Sequence, residues 1–461
     1  MPTRWIPLTS LLLAVAGCAA DSAPPLADRI KAGEGDGAIA YRDVSDAERR
    51  PAIELPAEAG VEDFVAAALR HNPRIAAARF EVERLAQRIP QETSLEDPMF
   101  EISPIGEGPQ TAAGEVGIML GVSQKLPFPG KLDTRGDIAR RQVAIAAAAL
   151  EQTRLEVEAD VRRAYWSLYR AQQSLEIRSR TRQLLDQFHS SAQANFRAGI
   201  VSQQDVLRAA VELAELEREV AQLHQQRASA IAMLNSLMNR DADAPLPEIR
   251  PPEPAELELR AQQLLSAAWS ASPAIRQANE RIESARLEQK LARLQRWPDL
   301  TIGVGYNFVD DELNGMPTSG DDQWSITFGI NLPIWQQRLR AAEREAALAQ
   351  YGAIAQLAEA RNDIAFRVHD AVARVQSQQQ QIRLLRDRIL PQARQAVESS
   401  ASAYRAGRGS FVELIDNWQA LLGFEQMYHD TLAELHQALA DLQQVVAMPI
   451  ASSTTQPTEQ P

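Results

Sequence analysis

Four segments of the chain alternate between apolar residues and small or polar ones, as β-strands with one apolar face do. The pattern is clearest in residues 300–308 and 324–332, and weaker in 99–105 and 115–126. In the two clearest segments every second residue is apolar: Leu300, Ile302, Val304, Tyr306 and Phe308, then Trp324, Ile326, Phe328, Ile330 and Leu332. The pattern predicts two β-hairpins, at residues 99–126 and 300–332.

Most of the remaining chain has a helical pattern. From Asp137 to Ala198 there is no glycine or proline, which is 62 residues and corresponds to a helix of roughly 90 Å. After Gly199 the helical pattern resumes through Asn239. A second pair of long helices is predicted from about Trp335 to Ala447. Pro391 is expected to kink the first helix of that pair, because proline cannot donate a backbone hydrogen bond.

The chain contains one architecture twice. The run Phe196-Arg-Ala-Gly-Ile-Val-Ser is matched 208 residues later by Tyr404-Arg-Ala-Gly-Arg-Gly-Ser. Three earlier landmarks recur in the same order: Asn72-Pro73 as Ser272-Pro273, Asp97-Pro98 as Trp297-Pro298, and Leu126-Pro127 as Leu332-Pro333. We therefore predict two structural repeats, 61–250 and 251–449. Each consists of a helix, a hairpin and a long helical hairpin, with tips near residues 199 and 407.

Strand length and number point towards a membrane. Strands of about ten residues with one apolar face and one small, polar face fit a transmembrane barrel with an open lumen. A soluble sandwich would also alternate, but the chain offers no further strands to pack against these four. Four strands cannot close such a barrel, so several chains must contribute. The fold class predicted is mainly α with a small β part. The net charge of −13 argues against a nucleic-acid partner.

The amino-terminal residues have the features of a secretory leader. Arg4 precedes an apolar run at 6–16, and Val15-Ala16-Gly17-Cys18 follows. This ending resembles a bacterial lipobox, which implies removal of a signal peptide at 1–17 and acylation of Cys18. Ala19, rather than aspartate, resembles lipoproteins sorted to the outer membrane. The alternative is an ordinary leader with an incidental cysteine. Residues 18–60 are predicted to be a lipid-anchored arm and 450–461 a disordered tail.

The order of elements resembles the TolC family of outer-membrane efflux factors over roughly residues 60–450. The duplication, the paired hairpins and the two tip motifs carry the resemblance. The lipid anchor resembles the branch that serves heavy-metal cation and drug efflux systems. The resemblance implies a homotrimer in the bacterial outer membrane. Its twelve strands would form a β-barrel in outer-membrane lipid, and its twelve long antiparallel coiled-coil helices an α-barrel in the periplasm.

Two groups of residues take on roles through this resemblance. In the family the helix tips contact a periplasmic adaptor protein, and acidic residues just past each tip constrict the channel. The tip positions correspond here to Arg197, Ala198, Gly199, Arg405, Ala406 and Gly407. The periplasmic gate positions correspond to Asp205, Tyr404, Glu413 and Asp416. Some members have a basic gate residue five positions after the tyrosine; this chain has Gly409 there, with Arg408 adjacent. The alternative for the acids is ordinary solvated helix surface.

The function implied is a passive outer-membrane channel, coupled through the adaptor to an inner-membrane pump of the RND type. Heavy-metal cations are one expected cargo, because Pro127–Leu132 resembles ducts paired with metal pumps. Multidrug efflux and type I protein secretion remain alternatives. A non-spanning periplasmic coiled-coil scaffold lipoprotein is the rival of another class.

No enzymatic motif, cofactor site or metal-ligand spacing is found in the sequence, including around the six histidines. Trp297, Trp324 and Trp335 flank the strands. They are expected either in an interfacial aromatic belt or in packing where barrel and helices meet.

Overall fold

A computed structural model describes residues 53, 55–106, 108–111, 113–199, 202–247, 249, 257, 259–310, 312–313, 316–317, 319–406 and 408–449. Four predicted features lie outside these residues: the signal peptide, Cys18, Gly407 and the tail 450–461. Only residues 53 and 55–60 of the predicted arm are described.

The first half of the chain alternates short helices, strands and two long helices. Its elements are α1 (Val61–His71), α2 (Pro73–Ala86), α3 (Arg88–Thr93), β1 (Met99–Pro104), β2 (Gln110–Thr111), β3 (Gly114–Leu126), α4 (Lys131–Arg197) and α5 (Gln203–Leu237). Helix α4 has 67 residues and is therefore about 100 Å long. Among the described residues, no helix is both long enough and apolar enough to cross a bilayer.

The second half repeats this order. Its elements are α6 (Ala261–Ala271), α7 (Pro273–Leu294), β4 (Leu300–Val309), β5 (Glu312–Leu313), β6 (Met316–Pro317), β7 (Gln323–Ile330), α8 (Gln336–Leu384), a π turn (Leu385–Ile389), α9 (Leu390–Arg405) and α10 (Phe411–Val446). The prediction of a mainly helical chain with four long strands is confirmed. The short β5–β6 hairpin was not predicted.

The break between α1 and α2 illustrates how single residues set these elements. Pro73 occupies the first turn of α2, where its missing N–H is not needed. The Asn72 side chain accepts a hydrogen bond from the Arg74 N–H at 2.9 Å and donates one to the Leu237 carbonyl at 2.8 Å. Asn72 therefore caps α2 and also holds the end of α5 against it.

The four long strands form one antiparallel sheet in the order β1-β3-β4-β7. The first hairpin supplies β1 and β3, and the second supplies β4 and β7. The centre of the sheet pairs the two repeats, with Val122 opposite Val304 and Leu126 opposite Leu300. Among the described residues, β1 pairs with β3 alone and β7 with β4 alone. Each of these outer strands therefore has one unpaired edge.

The buried residues show the duplication directly. Six buried positions of α4 recur as buried positions of α8, 207 residues later: Ala146/Ala353, Val157/Ile364, Val161/Val368, Ala164/Ala371, Tyr165/Val372 and Leu168/Val375. The short helices correspond at an offset of 200, as Ile75 and Ile275 show. A residue with positive φ follows each of the long helices α5 and α10: Asn239 at 59° and Ala447 at 55°.

The π turn explains why two of the repeat offsets differ by one residue. The tips correspond at 208 residues and the buried positions of α4 and α8 at 207, so the second repeat has one extra residue between them. A π turn accommodates one extra residue in a helix, and Leu385–Ile389 lies in this interval. Pro391 follows at once and cannot donate a hydrogen bond to the turn. A π turn thus lies just before Pro391, the residue at which the sequence predicts a kink.

A cluster of rings joins the two repeats where α4 packs against α10. Trp166 stacks on His436 with ring centroids 4.1 Å apart, and Tyr169 shares a hydrogen bond of 2.8 Å with His429 Nδ1. His436 Nε2 is buried and has no hydrogen-bond partner among the described residues. Burial lowers the pKa of His436 to about 4, because the charged form is poorly solvated there.

Because His436 Nε2 is buried in this cluster, we expect the free energy of unfolding to fall in acid. The pKa of His436 in the folded protein lies below its unfolded value of 6.5. The neutral side chain therefore contributes fully to the free energy of unfolding above pH 6.5, and this contribution is lost as the pH falls towards 4. The loss should approach about 3 kcal/mol. Unfolding followed by tryptophan fluorescence between pH 7 and 4 measures it. His436→Phe, which keeps a ring on Trp166, should flatten this part of the profile; an unchanged slope would contradict the assignment.

Candidate functional site: an apolar sheet face and two helix tips

One face of the sheet is apolar and open. Its cross-strand rows are Phe100–Val122–Val304–Ile326 and Ile102–Leu120–Tyr306–Trp324. Val304 is 57% exposed, Ile326 53% and Trp324 72%. Soluble monomers rarely leave so continuous an apolar surface in water. The face therefore requires a cover of apolar character.

The opposite face is small and polar. It carries the rows Met99–Ser123–Gly303–Thr327, Glu101–Gly121–Gly305–Ser325 and Ser103–Met119–Asn307–Gln323. A Cβ added to Gly305 would lie 2.8 Å from the Ser325 Oγ, so the serine would have to shift. Apart from Met99 and Met119 on the first hairpin, this face carries the small and polar residues that a barrel with a polar lumen requires.

A largely buried ion pair joins the sheet to the long helices. Lys131, the first residue of α4, donates from Nζ to Asp299 Oδ1 at 2.6 Å and to the Trp297 carbonyl at 2.9 Å. The same carboxylate oxygen accepts the Phe128 N–H at 2.9 Å. Burial alone raises the pKa of Asp299, but the hydrogen bonds from Lys131 and Phe128 outweigh it and lower that pKa below its usual value. Because Lys131 belongs to the first repeat and Asp299 to the second, this junction ties the repeats together.

The three flanking tryptophans differ in their surroundings. Trp297 stacks on Phe128 with centroids 5.2 Å apart, which fits the packing alternative for this residue. Trp324 and Trp335 are 72% and 70% exposed. Their exposure at opposite ends of the β7 region leaves both available for an interfacial belt.

The first tip is a tight turn between α4 and α5. Gly199 has a φ of +74°, a conformation that glycine adopts without strain, and a Cβ there would meet open space. Arg197, Ala198 and Gly199 are all exposed. At the second tip Ala406 is exposed, whereas Gly407 and the Arg405 side chain lie outside the described part of the chain.

Gly409 is required by a close approach of the backbone. A Cβ at this position would lie 2.9 Å from the Tyr404 nitrogen and 3.0 Å from the Ala403 Cβ. The N–H groups of Arg408 and Gly409 both donate to the Ala403 carbonyl. Any side chain at position 409 would therefore crowd the backbone of Tyr404 and the side chain of Ala403.

Near the second tip, the basic side chain that pairs with Asp416 comes from the first repeat. Arg208 Nη2 lies 3.2 Å from Asp416 Oδ1, and the two side chains are 41% and 57% exposed. A second cross-repeat contact follows, since Gln419 donates to Glu212 at 2.7 Å. Arg208 and Asp416 stand 208 residues apart, which is the offset of the tips. The two repeats thus carry opposite charges at one equivalent position, a signal that sequence reasoning missed.

The other proposed gate residues differ in their surroundings. Tyr404 packs against an apolar cluster that includes Ile415 and Trp418. Glu413 is exposed in the first turn of α10, where a negative charge favours the helix dipole. Asp205 lies in α5, and its side chain is outside the described residues. In the described part of the chain, no three histidine, cysteine or acidic side chains are arranged to hold a metal ion.

These features are the ones expected of an outer-membrane channel protein, and comparison with known proteins points to the same class. The family model described as "Outer membrane efflux protein" matches residues 64–240 and 264–447. The chain therefore belongs to the outer membrane efflux protein family, whose members are efflux channels rather than enzymes.

Three individual proteins illustrate the relationship. The chain is 24% identical over 321 residues to the cobalt-zinc-cadmium resistance protein CzcC of Cupriavidus metallidurans, covering 69% of this chain and 74% of CzcC. It is 23% identical over 381 residues to the probable outer membrane lipoprotein SilC of Salmonella typhimurium, covering 80% and 82%. Among solved structures, the outer membrane protein VceC of Vibrio cholerae matches with a TM-score of 0.70 and 20% identity, over 84% of this chain and 96% of VceC.

Proposed function

We propose that this chain is the outer-membrane duct of a tripartite efflux system, working as a homotrimer. The observation that carries the proposal is the exposed apolar face of the sheet, continuous across all four long strands. Lipid is the natural cover for that face, and the unpaired edges of β1 and β7 allow further chains to close a barrel. Three chains would supply the twelve strands of the family's barrel.

The rival hypothesis is a scaffold lipoprotein that does not span the membrane. Removing the lipid anchor distinguishes it from a spanning duct. The native leader and Cys18 would be replaced by a cleavable leader that carries no acylation site. A spanning barrel keeps the protein in the outer membrane through alkaline extraction, because one or two acyl chains hold far less strongly than a spanning structure. A scaffold would be released. Mass spectrometry of the native mature amino terminus tests acylation at Cys18 in parallel.

For cargo, we propose heavy-metal cations. The support is the similarity to CzcC, which is named for cobalt, zinc and cadmium resistance. Multidrug efflux and type I protein secretion remain the competing assignments. Deleting the gene should lower the tolerated concentration of divalent metal cations and leave drug tolerance and protein secretion unchanged. Sensitivity to drugs alone would reassign the cargo.

At the tips, we propose that residues 197–199, which are exposed, and residues 405–407 contact a periplasmic adaptor, itself coupled to an inner-membrane pump of the RND type. The neighbouring Asp205, Tyr404, Glu413 and Asp416 form the proposed periplasmic gate. Arg208 joins this set, because it pairs with Asp416. One exposed ion pair contributes only about 0.2–1 kcal/mol, so three symmetry-related pairs make a gate that opens at modest cost. Each pair also neutralises charge at the constriction.

This pairing predicts gate variants with opposite effects. Arg208→Gln leaves three unpaired Asp416 carboxylates and should strengthen block of the channel by multivalent cations. Asp416→Asn leaves three unpaired Arg208 side chains and should weaken that block. The exchange Arg208→Asp with Asp416→Arg should restore a value near that of the native channel. Planar-bilayer recordings measure all four proteins.

The matched control is another exposed ion pair between long helices. Arg182 and Glu217 lie 3.6 Å apart on α4 and α5, away from the tips. Glu217→Gln should leave cation block unchanged. Equal responses to Arg208→Gln and Asp416→Asn would show that these residues are ordinary helix surface.

A further inference from the structure

The helices next to the sheet form a row with two open ends. In this row α2 packs on α4, α4 on α7, and α7 on α8. Within this row, and among the described residues, α4 and α7 have a neighbour on both sides, whereas α2 and α8 have one neighbour each. Farther along its length, around Val368, α8 also packs on α6 and α10. The uncovered sides carry large apolar side chains: Phe80 of α2 is 56% exposed, and Leu348 and Tyr351 of α8 are 61% and 69% exposed.

The contact between α4 and α7 shows what belongs on these open sides. It brings the long helix of the first repeat against the short helix of the second. Because the repeats are equivalent, the corresponding contact brings the long helix of the second repeat, α8, against a first-repeat short helix, α2. Within the chain α2 is already packed on α4, so the α2 that α8 meets belongs to another copy. The sheet has the same open ends, β1 and β7.

The two contacts can be compared residue by residue. Within the chain, Arg141 Nη1 of α4 pairs with Glu280 Oε2 of α7 at 2.9 Å. The offset of 207 places Leu348 at the position of Arg141, and the offset of 200 places Phe80 at that of Glu280. An ion pair inside the chain thus corresponds to two exposed apolar side chains on the open helices.

Side-chain size is exchanged as well. Ile145 of α4 and buried Ser284 of α7 line one groove, and Gly352 of α8 borders the same groove. Gly352 of α8 is equivalent to Ile145, and Arg84 of α2 is equivalent to Ser284. Within the chain, a large side chain on the long helix faces a small one on the short helix. In the equivalent contact, a small residue on the long helix would face a large one on the short helix. A Cβ on Gly352 would meet nothing within 4 Å in this chain. Glycine destabilises a helix interior relative to alanine, and no close contact among the described residues accounts for its presence at position 352.

We infer that α8 of one copy receives α2 of the next. Phe80 would pack on Leu348 and Tyr351, and the Arg84 side chain would lie over Gly352. The inference rests on the proposed trimer and names the contact that orders its subunits. The contact between chains would be apolar, whereas the equivalent contact within each chain is ionic. If a helix took the wrong partner, a charged side chain would lie against an apolar one, so mismatched helix pairs are penalised. Because the two surfaces differ, the contact is head-to-tail, and in the proposed trimer three such contacts close a ring.

A charge exchange tests this contact. Phe80→Glu alone should lower the trimer fraction at least about tenfold, because its carboxylate would face Leu348 unpaired. Adding Leu348→Arg to it should restore most of the trimer by reproducing the Arg141–Glu280 pair between chains. Native mass spectrometry of the detergent-purified full chain measures the fraction. Circular dichroism reports whether the helices are intact.

Gly352→Leu provides a second variant that is not expected to unfold the chain. The substitution favours the helix and meets open space in the single chain, yet it should prevent trimer formation by filling the place of Arg84. A native trimer that tolerates Phe80→Glu and Gly352→Leu would overturn the inference and leave the proposed duct standing. A double variant no better than Phe80→Glu would overturn it too. A native chain that is monomeric at every concentration would overturn both.

Discussion

Replacing Ile326 by arginine is expected to cost about 2–4 kcal/mol and to reduce the yield of assembled protein severely. Ile326 lies opposite Val304 in the apolar row and is 53% exposed in the single chain. If lipid covers this face, the guanidinium would have to enter the hydrocarbon region. The yield of heat-resistant oligomer in outer-membrane extracts measures the effect.

The neighbouring residue supplies the control. Thr327 follows on the same strand, at nearly the same depth, and belongs to the small, polar face opposite Gly303. Thr327→Arg should therefore assemble and change conduction instead. Equal yields for the two arginine variants would contradict a sheet with one face in lipid and one towards water.

Replacing Lys131 by methionine is expected to lower the free energy of unfolding by about 3–5 kcal/mol. The substitution leaves the Asp299 carboxylate, which is 14% exposed, with one N–H donor, that of Phe128, and without its cation. Removing a single partner of a buried pair costs the desolvation of the other. Denaturant unfolding of the detergent-solubilised protein measures the loss.

Two further variants identify the cause of that loss. Lys131→Met with Asp299→Asn should recover part of the stability, because the amide oxygen can still accept the Phe128 N–H without carrying a charge. Arg140→Met breaks an exposed ion pair with Asp137 on the same helix and should change stability by less than about 1 kcal/mol. A loss with Arg140→Met as large as with Lys131→Met would show that burial is not the cause.

The sheet was predictable because its pattern is local. Val304 and Gly303 face opposite sides since alternate residues of a strand always do, whatever lies around them. The long helix α4 was predictable for a similar reason, because no glycine or proline interrupts most of its length. The short β5–β6 hairpin lacks such a signal. Its strands have two residues each, too few for alternation to be seen.

The tips were predictable only in position. The repeated Arg-Ala-Gly run located both turns, but the partner of Asp416 depends on how α5 and α10 pack against each other. Arg208 was therefore missed, although its place at the repeat offset from Asp416 could have suggested it. The need for glycine at position 409 also depends on folding, since it arises from the approach of Ala403 and Tyr404. The π turn is visible in the sequence as a difference of one residue between the offset of the tips, 208, and the offset of the buried helix positions, 207.

The central claim is that this chain forms a conducting channel through the outer membrane, and single-channel recording of the purified native protein tests it most directly. Protein added to one side of a planar lipid bilayer should insert and give discrete, stable conductance steps. Multivalent cations added on the side of the helix tips should reduce those steps more than the same cations on the other side. Binding to the bilayer without any conductance would contradict the account and would favour the lipid-anchored scaffold.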